Sequence, residues 1–423
     1  MKAYFDEPGW LNLKHLAFKE FENRQVPWST FDSSFSILRR IKEQFDISYE
    51  KDCDEFGMYH IKVRGLVPFW SGLLPHDLNP NKHILKEIPE YILQQVRERK
   101  LVIVIDNQEE GFSLMYGNTN CFEAFHNAMQ ELKLPTYSVV LMDSNAKFND
   151  EYENWCLVAG EQPLIAHSYS LTGFHYFVDR TPEQPLVIDA LNHHNPASFN
   201  SLNRTKRIHR MEHLYFLIQT GLHNNNLVSG GCSFTHDQEI IPTPISNTNL
   251  MDFRSVLEKT LPLTIDGDWT HDNPDLDNNT IFNHSIYKNS LLSFVTETAF
   301  GETGLFITEK TFKAIVAGHP FVVLGQVGTL KFLRELGYKT DFSGIDSSYD
   351  DIVNPRDRFY YVHEILSKWV HMSLEDKKSH VEKSLPTIYH NLEHFKKQKY
   401  VIDTYIRLRE TLEKIETNTY RNF

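Results

Sequence analysis

Cysteine is scarce: Cys53, Cys121, Cys156 and Cys232 are scattered over 423 positions with no paired spacing. That excludes a disulfide framework and a zinc ribbon, and it fits a reducing, cytoplasmic setting. Long apolar runs are missing too. No stretch suffices to span a bilayer, and the opening residues MKAYFDEPGWLN lack the charged-then-apolar pattern of a leader. Cations are the minority, 43 Lys and Arg against 56 Asp and Glu, for a net charge of -13. A general attraction to nucleic acid or anionic membrane is therefore not expected, and any basic groove has to be local. No G-x-G-x-x-G follows an apolar strand and no P-loop occurs, which removes the main support for dehydrogenase and NTPase readings. Repeats and low-complexity tracts are absent as well.

What is present suffices for two domains of about 100–200 residues each, with 13% aromatic residues to build their cores. The organising stretch runs from Ser290 to Gly325. Leu291, Leu292, Phe294 and Val295 form a short apolar run, as expected of a strand buried on both faces of a parallel sheet. A loop bracketed by Gly301 and Gly304 comes next, then Thr308 as a helix N-cap and Phe312, Ile315 and Val316 at helical spacing. Gly318 ends that helix, Pro320 prevents its continuation, and Phe321 to Leu324 predict a second strand. In open parallel sheets ligands sit at the carboxyl ends of strands, where helix N-termini offer free N–H groups. Glu309 and Lys310 stand there. A lysine in a first helical turn opposes the macrodipole by roughly 0.3–1 kcal/mol, which a bound anion would offset. The bland alternative makes Lys310 and Lys313 a solvated helix face.

The run FITEKTFKAIVAGHPFVVLG resembles the nucleotide-sugar-binding motif of GT-B glycosyltransferases of the α-1,3-fucosyltransferase type, and similar segments occur in glycosyltransferase-like proteins of bacteriophages. The resemblance implies an α/β fold of two Rossmann-like domains facing a cleft, with C-terminal helices. It implies that Lys310 contacts the donor diphosphate and that Glu309 lies beside the ribose or donor sugar. The expected division is 1–221 for an acceptor domain, 222–386 for the donor domain, and 387–423 for a helical segment returning to the first.

Earlier in the chain, LVIVID from Leu101 and the run Tyr137 to Met142 predict buried strands flanking a helix over Asn118 to Leu132, the alternation of a Rossmann-like domain. Strand-end loops then carry Asp106, Glu109 and Glu110 on one side and Asp143 on another. Short strands are predicted at Leu164 to Tyr169, His175 to Val178 and Leu186 to Ile188. In NRTKRIHRMEHLYFLIQTGL, Arg204, Lys206, Arg207 and Arg210 crowd the start of a helix, which is unfavourable without an anion; a diphosphate contact and a solvated basic end both fit. Asn354, Pro355 and Asp357 open a further helix whose apolar stripe is Phe359, Val362, Leu366 and Trp369. Pro386 punctuates the helical remainder of the chain.

Two metal patterns compete with this reading. His209, Glu212 and His213 form H-x-x-E-H, in which two histidines one turn apart can share an ion, although an arginine beside each would repel a cation. Asp266 and Asp268 form a D-x-D in a turn-rich loop. The reading adopted is a glycosyltransferase moving a sugar from a nucleotide-diphosphate sugar to a hydroxyl of a glycan, a lipid-linked glycan or modified DNA, inverting, and with no metal or other cofactor. Thr308, Glu309, Lys310, Arg207 and Arg210 bind the donor, and Glu110 or Glu109 is the general base. A non-catalytic nucleotide- or glycan-binding module is the alternative from another class, and a metal hydrolase built on His209 and His213 the third.

Overall fold

In a computed structural model the described residues are 2–4, 48–50, 56–62, 84–107, 115–116, 119–168, 181–203, 207–230, 250–263, 282–301, 304–397 and 399–417. The chain forms two compact α/β units, one comprising Met1–His175, Thr303–Phe306 and Lys399–Phe423, the other Tyr176–Glu302 and Ile307–Gln398.

The first unit carries β1 (Lys2–Tyr4), β2 (Ser48–Glu50), β3 (Gly57–Lys62), β4 (Leu101–Asn107), a two-stranded ribbon β5 (Met115–Tyr116) and β6 (Thr119–Asn120), β7 (Val139–Asp143) and β8 (Ile165–Ser168). Six of these make one parallel sheet in the order β2-β1-β3-β4-β7-β8. β4 lies between β3 and β7, so Leu101 to Ile105 are buried on both faces, which is what its unbroken apolar run demands. Helices α1 (Glu90–Arg97), α2 (Cys121–Glu131) and α3 (Phe148–Ala159) complete its core, where Phe122 and Tyr152 pack at 4.9 Å and Phe122 and Trp155 at 5.5 Å.

The second unit holds β9 (Asn200–Asn203), β10 (Leu227–Gly230), β11 (Ser293–Thr296) and β12 (Phe321–Leu324), a parallel sheet in the order β10-β9-β11-β12. Its helices are α4 (Val187–Asn192), α5 (Ile208–Gln219), α6 (Leu250–Thr260), α7 (His284–Lys288), α8 (Glu309–Ala317), α9 (Thr329–Glu335), α10 (Pro355–His371) and α11 (Leu374–Lys396). A last helix, α12 (Lys399–Glu416), belongs to the first unit. Among the described residues no helix is long and apolar enough to cross a membrane.

The unit built on β11, α8 and β12 obeys the signals read from Ser290 to Gly325. Phe312, Ile315 and Val316 are buried, the Thr308 hydroxyl accepts from the Lys310 N–H, and Gly318 closes α8 at φ 64°. A Cβ at Gly318 would fall 2.5 Å from that of Pro185, so only glycine fits both the left-handed turn and the close approach. At α10 the Asn354 side chain accepts from the N–H groups of Arg356 and Asp357, with Pro355 at the first helical position. Asn354→Ala is expected to lower stability by about 1 kcal/mol, read as a shift in the urea midpoint at unchanged slope.

Several expectations are corrected. Leu186 to Ile188 is not a strand: Val187 and Ala190, one turn apart, are both buried on α4, while Leu186 packs with Ile286, Tyr287 and Ala317. Three apolar residues are too few to choose a period. Pro386 lies within α11 and ends nothing, because Val381, Ser384, Ile388, Leu392 and Phe395 hold that helix on both sides of it. Asp106 lies within β4, paired with Lys62 and Met142, not in a loop beyond it. The strand expected at His175 to Val178 lies outside the described residues.

Candidate functional site

Because the strands of the second sheet are parallel, Asn203, Gly230, Thr296 and Leu324 end at one edge, and the segments beyond them form the site. Glu297 comes immediately after β11. It is buried, and its carboxylate accepts from the Thr298 N–H at 3.0 Å, the Thr308 N–H at 3.1 Å and hydroxyl at 2.6 Å, and the Thr311 N–H at 3.3 Å and hydroxyl at 2.5 Å. The first turn of α8 is therefore closed from within the protein. Lys310 N–H goes to the Thr308 hydroxyl at 3.4 Å, and Glu309 N–H to its own carboxylate. The expectation from sequence reserves these N–H groups for a bound anion; the chain supplies that anion itself, and Glu297 and Glu309 are what offset a lysine at this helix end.

This leaves side-chain charge as the means of holding a ligand. Lys310 Nζ donates to Glu309 at 2.5 Å, to Thr298 Oγ1 at 3.2 Å and to Thr308 Oγ1 at 3.3 Å, and its side chain is 25% exposed. Glu309 is buried, which alone would raise its pKa; the charges of Lys310 and Lys313 and the hydrogen bonds from Lys310 and its own N–H outweigh burial and hold it at about 2. Arg210 is buried, and Nη2 donates to the carbonyl of Glu297 at 2.9 Å. His209 Nε2 lies 2.8 Å from the same carbonyl. Burial, then the charges of Arg210, Arg207 and Lys310, push His209 down to about 3 against that hydrogen bond. Arg210, Arg207 and Lys310 all lie near enough to His209 to oppose its protonation. Arg207 is half-buried at the N-cap of α5.

Two further arrangements support this edge. Arg358, buried, donates Nε to Gly325 O at 3.1 Å, Nη1 to Ile352 O at 2.5 Å and Val353 O at 3.3 Å, and Nη2 to Phe300 O at 2.6 Å, with its guanidinium 4.7 Å from the Phe300 ring centre. It pins the segments beyond β11 and β12. Below them runs a buried chain. Thr296 Oγ1 donates to Asn203 Oδ1 at 2.7 Å, and Asn203 Nδ2 to Ser201 Oγ at 3.0 Å; Ser201 Oγ is 2.9 Å from His213 Nε2, His213 Nδ1 2.8 Å from His363 Nε2, and His363 Nδ1 2.7 Å from Phe359 O. A carbonyl only accepts, so His363 Nδ1 carries a proton. Burial holds both rings neutral, His363 down at about 4 and His213 well below its ordinary range, so His213 Nδ1 donates to His363 and Ser201 donates to His213.

That chain disposes of the H-x-x-E-H reading. Both ring nitrogens of His213 are engaged by Ser201 and His363, while His209 turns to Glu297, so the pair does not converge on one ion. Among the described residues no three His, Cys, Asp or Glu side chains are placed to hold a metal ion. Asp266, Asp268, Arg204, Lys206, Glu109 and Glu110 lie outside the described residues. In the first unit, Asp143 is fully buried and accepts the Asn145 N–H at 2.7 Å; the Asn145 side chain in turn accepts the Leu305 N–H at 2.7 Å. An acid so enclosed shapes its strand end, and it is not poised for proton transfer.

Glu297, Arg358 and His363 are not singled out by the sequence. Glu297 carries the same signal as Asp143, an acid closing an apolar strand; nothing local marks Arg358 or His363.

No protein-family model matches the chain, and no curated protein matches it either. Among solved structures the chain is similar to an alpha,alpha-trehalose-phosphate synthase (UDP-forming) from Burkholderia vietnamiensis, at 13% identity, covering 76% of this chain and 72% of that one with a TM-score of 0.36. A likeness of that degree bears on neither the chemistry nor the ligand.

Proposed function

We propose that the protein is a GT-B glycosyltransferase that transfers a sugar from a nucleotide-diphosphate sugar to an acceptor hydroxyl with inversion. One observation carries the reading: at the carboxyl edge of a parallel sheet the partly exposed Lys310 is paired with the charged, buried Glu309, and Arg210 is anchored nearby on the carbonyl of Glu297. Lys310, the partly exposed cation, meets the diphosphate directly. Arg210 adds charge from beneath while anchored on Glu297, and Arg207 flanks it. Glu309 is fixed beside Lys310 and reads donor hydroxyls, and Thr308 holds the helix end that carries both.

In the reaction the acceptor oxygen forms a bond to the anomeric carbon as the bond from that carbon to the diphosphate oxygen breaks. The electron pair stays on the leaving diphosphate oxygen, whose charge the cations neutralise, and the acceptor proton passes to a carboxylate, for which Glu110 and Glu109 are the candidates from sequence. With three cations on the leaving group, no divalent ion is required. The acceptor belongs to the class of hydroxyl-bearing glycans, free or lipid-linked, or hydroxylated DNA bases.

The test is incubation of the purified protein with a panel of nucleotide sugars without acceptor. One donor should raise the thermal midpoint and release free sugar slowly, and EDTA should leave both effects intact. A midpoint shift without any release under prolonged incubation would favour a binding module; no shift with any nucleotide sugar would overturn the reading. Loss of both effects in EDTA with recovery in manganese would move the donor site to Asp266 and Asp268.

A further inference from the structure

The four buried histidines among the described residues of the second unit provide an internal comparison. His213 is bonded through both ring nitrogens, to Ser201 and His363; His363 through both, to Phe359 and His213; His319 through both, with Nδ1 3.3 Å from Ser293 Oγ and Nε2 2.7 Å from Tyr287 O. His209 differs. Nε2 lies 2.8 Å from the Glu297 carbonyl, and Nδ1 has no hydrogen-bond partner among the described residues, although the residue is only 2% exposed. An unengaged ring nitrogen in that position beside a candidate site is open to a ligand group.

Geometry states which kind of group. The Glu297 carbonyl accepts and cannot donate, so Nε2 carries the ring proton and the neutral ring presents a lone pair at Nδ1. A second proton is opposed by Arg210, Arg207 and Lys310. The ring also packs on Phe300, with centroids 5.5 Å apart and planes inclined by 30°, which fixes its orientation. A lone pair rejects phosphate oxygens, which only accept, and takes an O–H. The surrounding cations have the opposite capacity: Lys and Arg donate and accept nothing. Glu309 Oε1 is already taken by Lys310. A ligand carrying both a diphosphate and hydroxyls therefore finds its anionic part met by the cations and a hydroxyl met by Nδ1.

We infer that Nδ1 of His209 accepts a hydrogen bond from a sugar hydroxyl of the bound donor, which makes His209 a specificity-determining contact of this site. The inference rests on the donor reading proposed for this site. The hydroxyl is either on the ribose or on the transferred sugar, and the choice of ligands separates the two.

The experiment measures dissociation constants of wild type, His209→Gln and His209→Asn for three probes: the nucleotide sugar found in the donor panel, the matching nucleoside diphosphate, and inorganic pyrophosphate. Glutamine can keep an N–H on the Glu297 carbonyl and has no acceptor where Nδ1 stands; asparagine can place its amide oxygen there. His209→Gln should weaken the nucleotide sugar about 10-fold, the loss expected of one hydroxyl contact, and leave pyrophosphate within about twofold, while His209→Asn restores most of the affinity. A loss confined to the nucleotide sugar places the hydroxyl on the transferred sugar; a loss shared with the diphosphate and spared by pyrophosphate places it on the ribose. Equal losses for all three probes, or none, would overturn the inference. If His209→Gln does not fold, weak nucleotide-sugar binding by a folded His209→Phe with pyrophosphate unchanged supports it, and wild-type-like binding of all probes by that variant overturns it. Failure of the donor reading looks different, since wild type would then bind none of the three.

Discussion

Glu297→Ala is expected to cost about 3–5 kcal/mol of stability, the scale of removing one member of a buried charged network. The carboxylate receives three backbone N–H groups and two hydroxyls, and the N–H groups of Thr298, Thr308 and Thr311 have no freedom to turn elsewhere. Glu297→Gln should cost less, because one oxygen still accepts while the amide N–H groups face donors. Urea unfolding monitored by tryptophan fluorescence reads the difference; an alanine variant with wild-type stability would show that α8 does not depend on this closure.

Lys310→Ala has the other large effect, on ligand affinity. A charge-assisted contact to a diphosphate contributes about 1.5–3 kcal/mol, so donor affinity should fall roughly 10- to 100-fold. Stability should change by only about 1 kcal/mol, since the Lys310 side chain is 25% exposed and Glu309 keeps its own N–H and the Lys313 charge. Calorimetry with the diphosphate of the active donor measures the first, and urea unfolding the second. Unchanged affinity in a folded Lys310→Ala would remove this lysine from the site.

The two variants also mark what the sequence can reveal. Lys310 is legible because its surroundings are local: Thr308 caps α8, Gly318 ends it, and Phe312, Ile315 and Val316 give its period within one short stretch. Glu297 is not, because its role depends on β11 delivering it against Thr308 and Thr311, 11 and 14 residues on, after a loop whose course no local pattern fixes. His213 and His363 stand 150 residues apart and meet only once α5 and α10 pack. The basic start of α5 is legible as charge, and its destination, the Glu297 carbonyl, is not. Leu186 to Ile188 misleads because a run that short satisfies either period, and Pro386 because tertiary packing outweighs one lost helical hydrogen bond. The reading of Glu109 and Glu110 rests on sequence position and stays a proposal.

The central claim is that the second unit holds a nucleotide diphosphate by side-chain charge around Lys310, with the N–H groups at the start of α8 already committed to Glu297, Glu309 and Thr308. The most direct measurement is equilibrium binding of nucleoside diphosphates and the corresponding monophosphates and nucleosides to the wild-type protein in EDTA, titrated over salt concentration. The account predicts saturable one-to-one binding of one diphosphate, weaker binding of its monophosphate, and a loss of affinity as salt rises. Binding that is absent for every diphosphate, or equally strong for nucleoside and diphosphate and indifferent to salt, would contradict it.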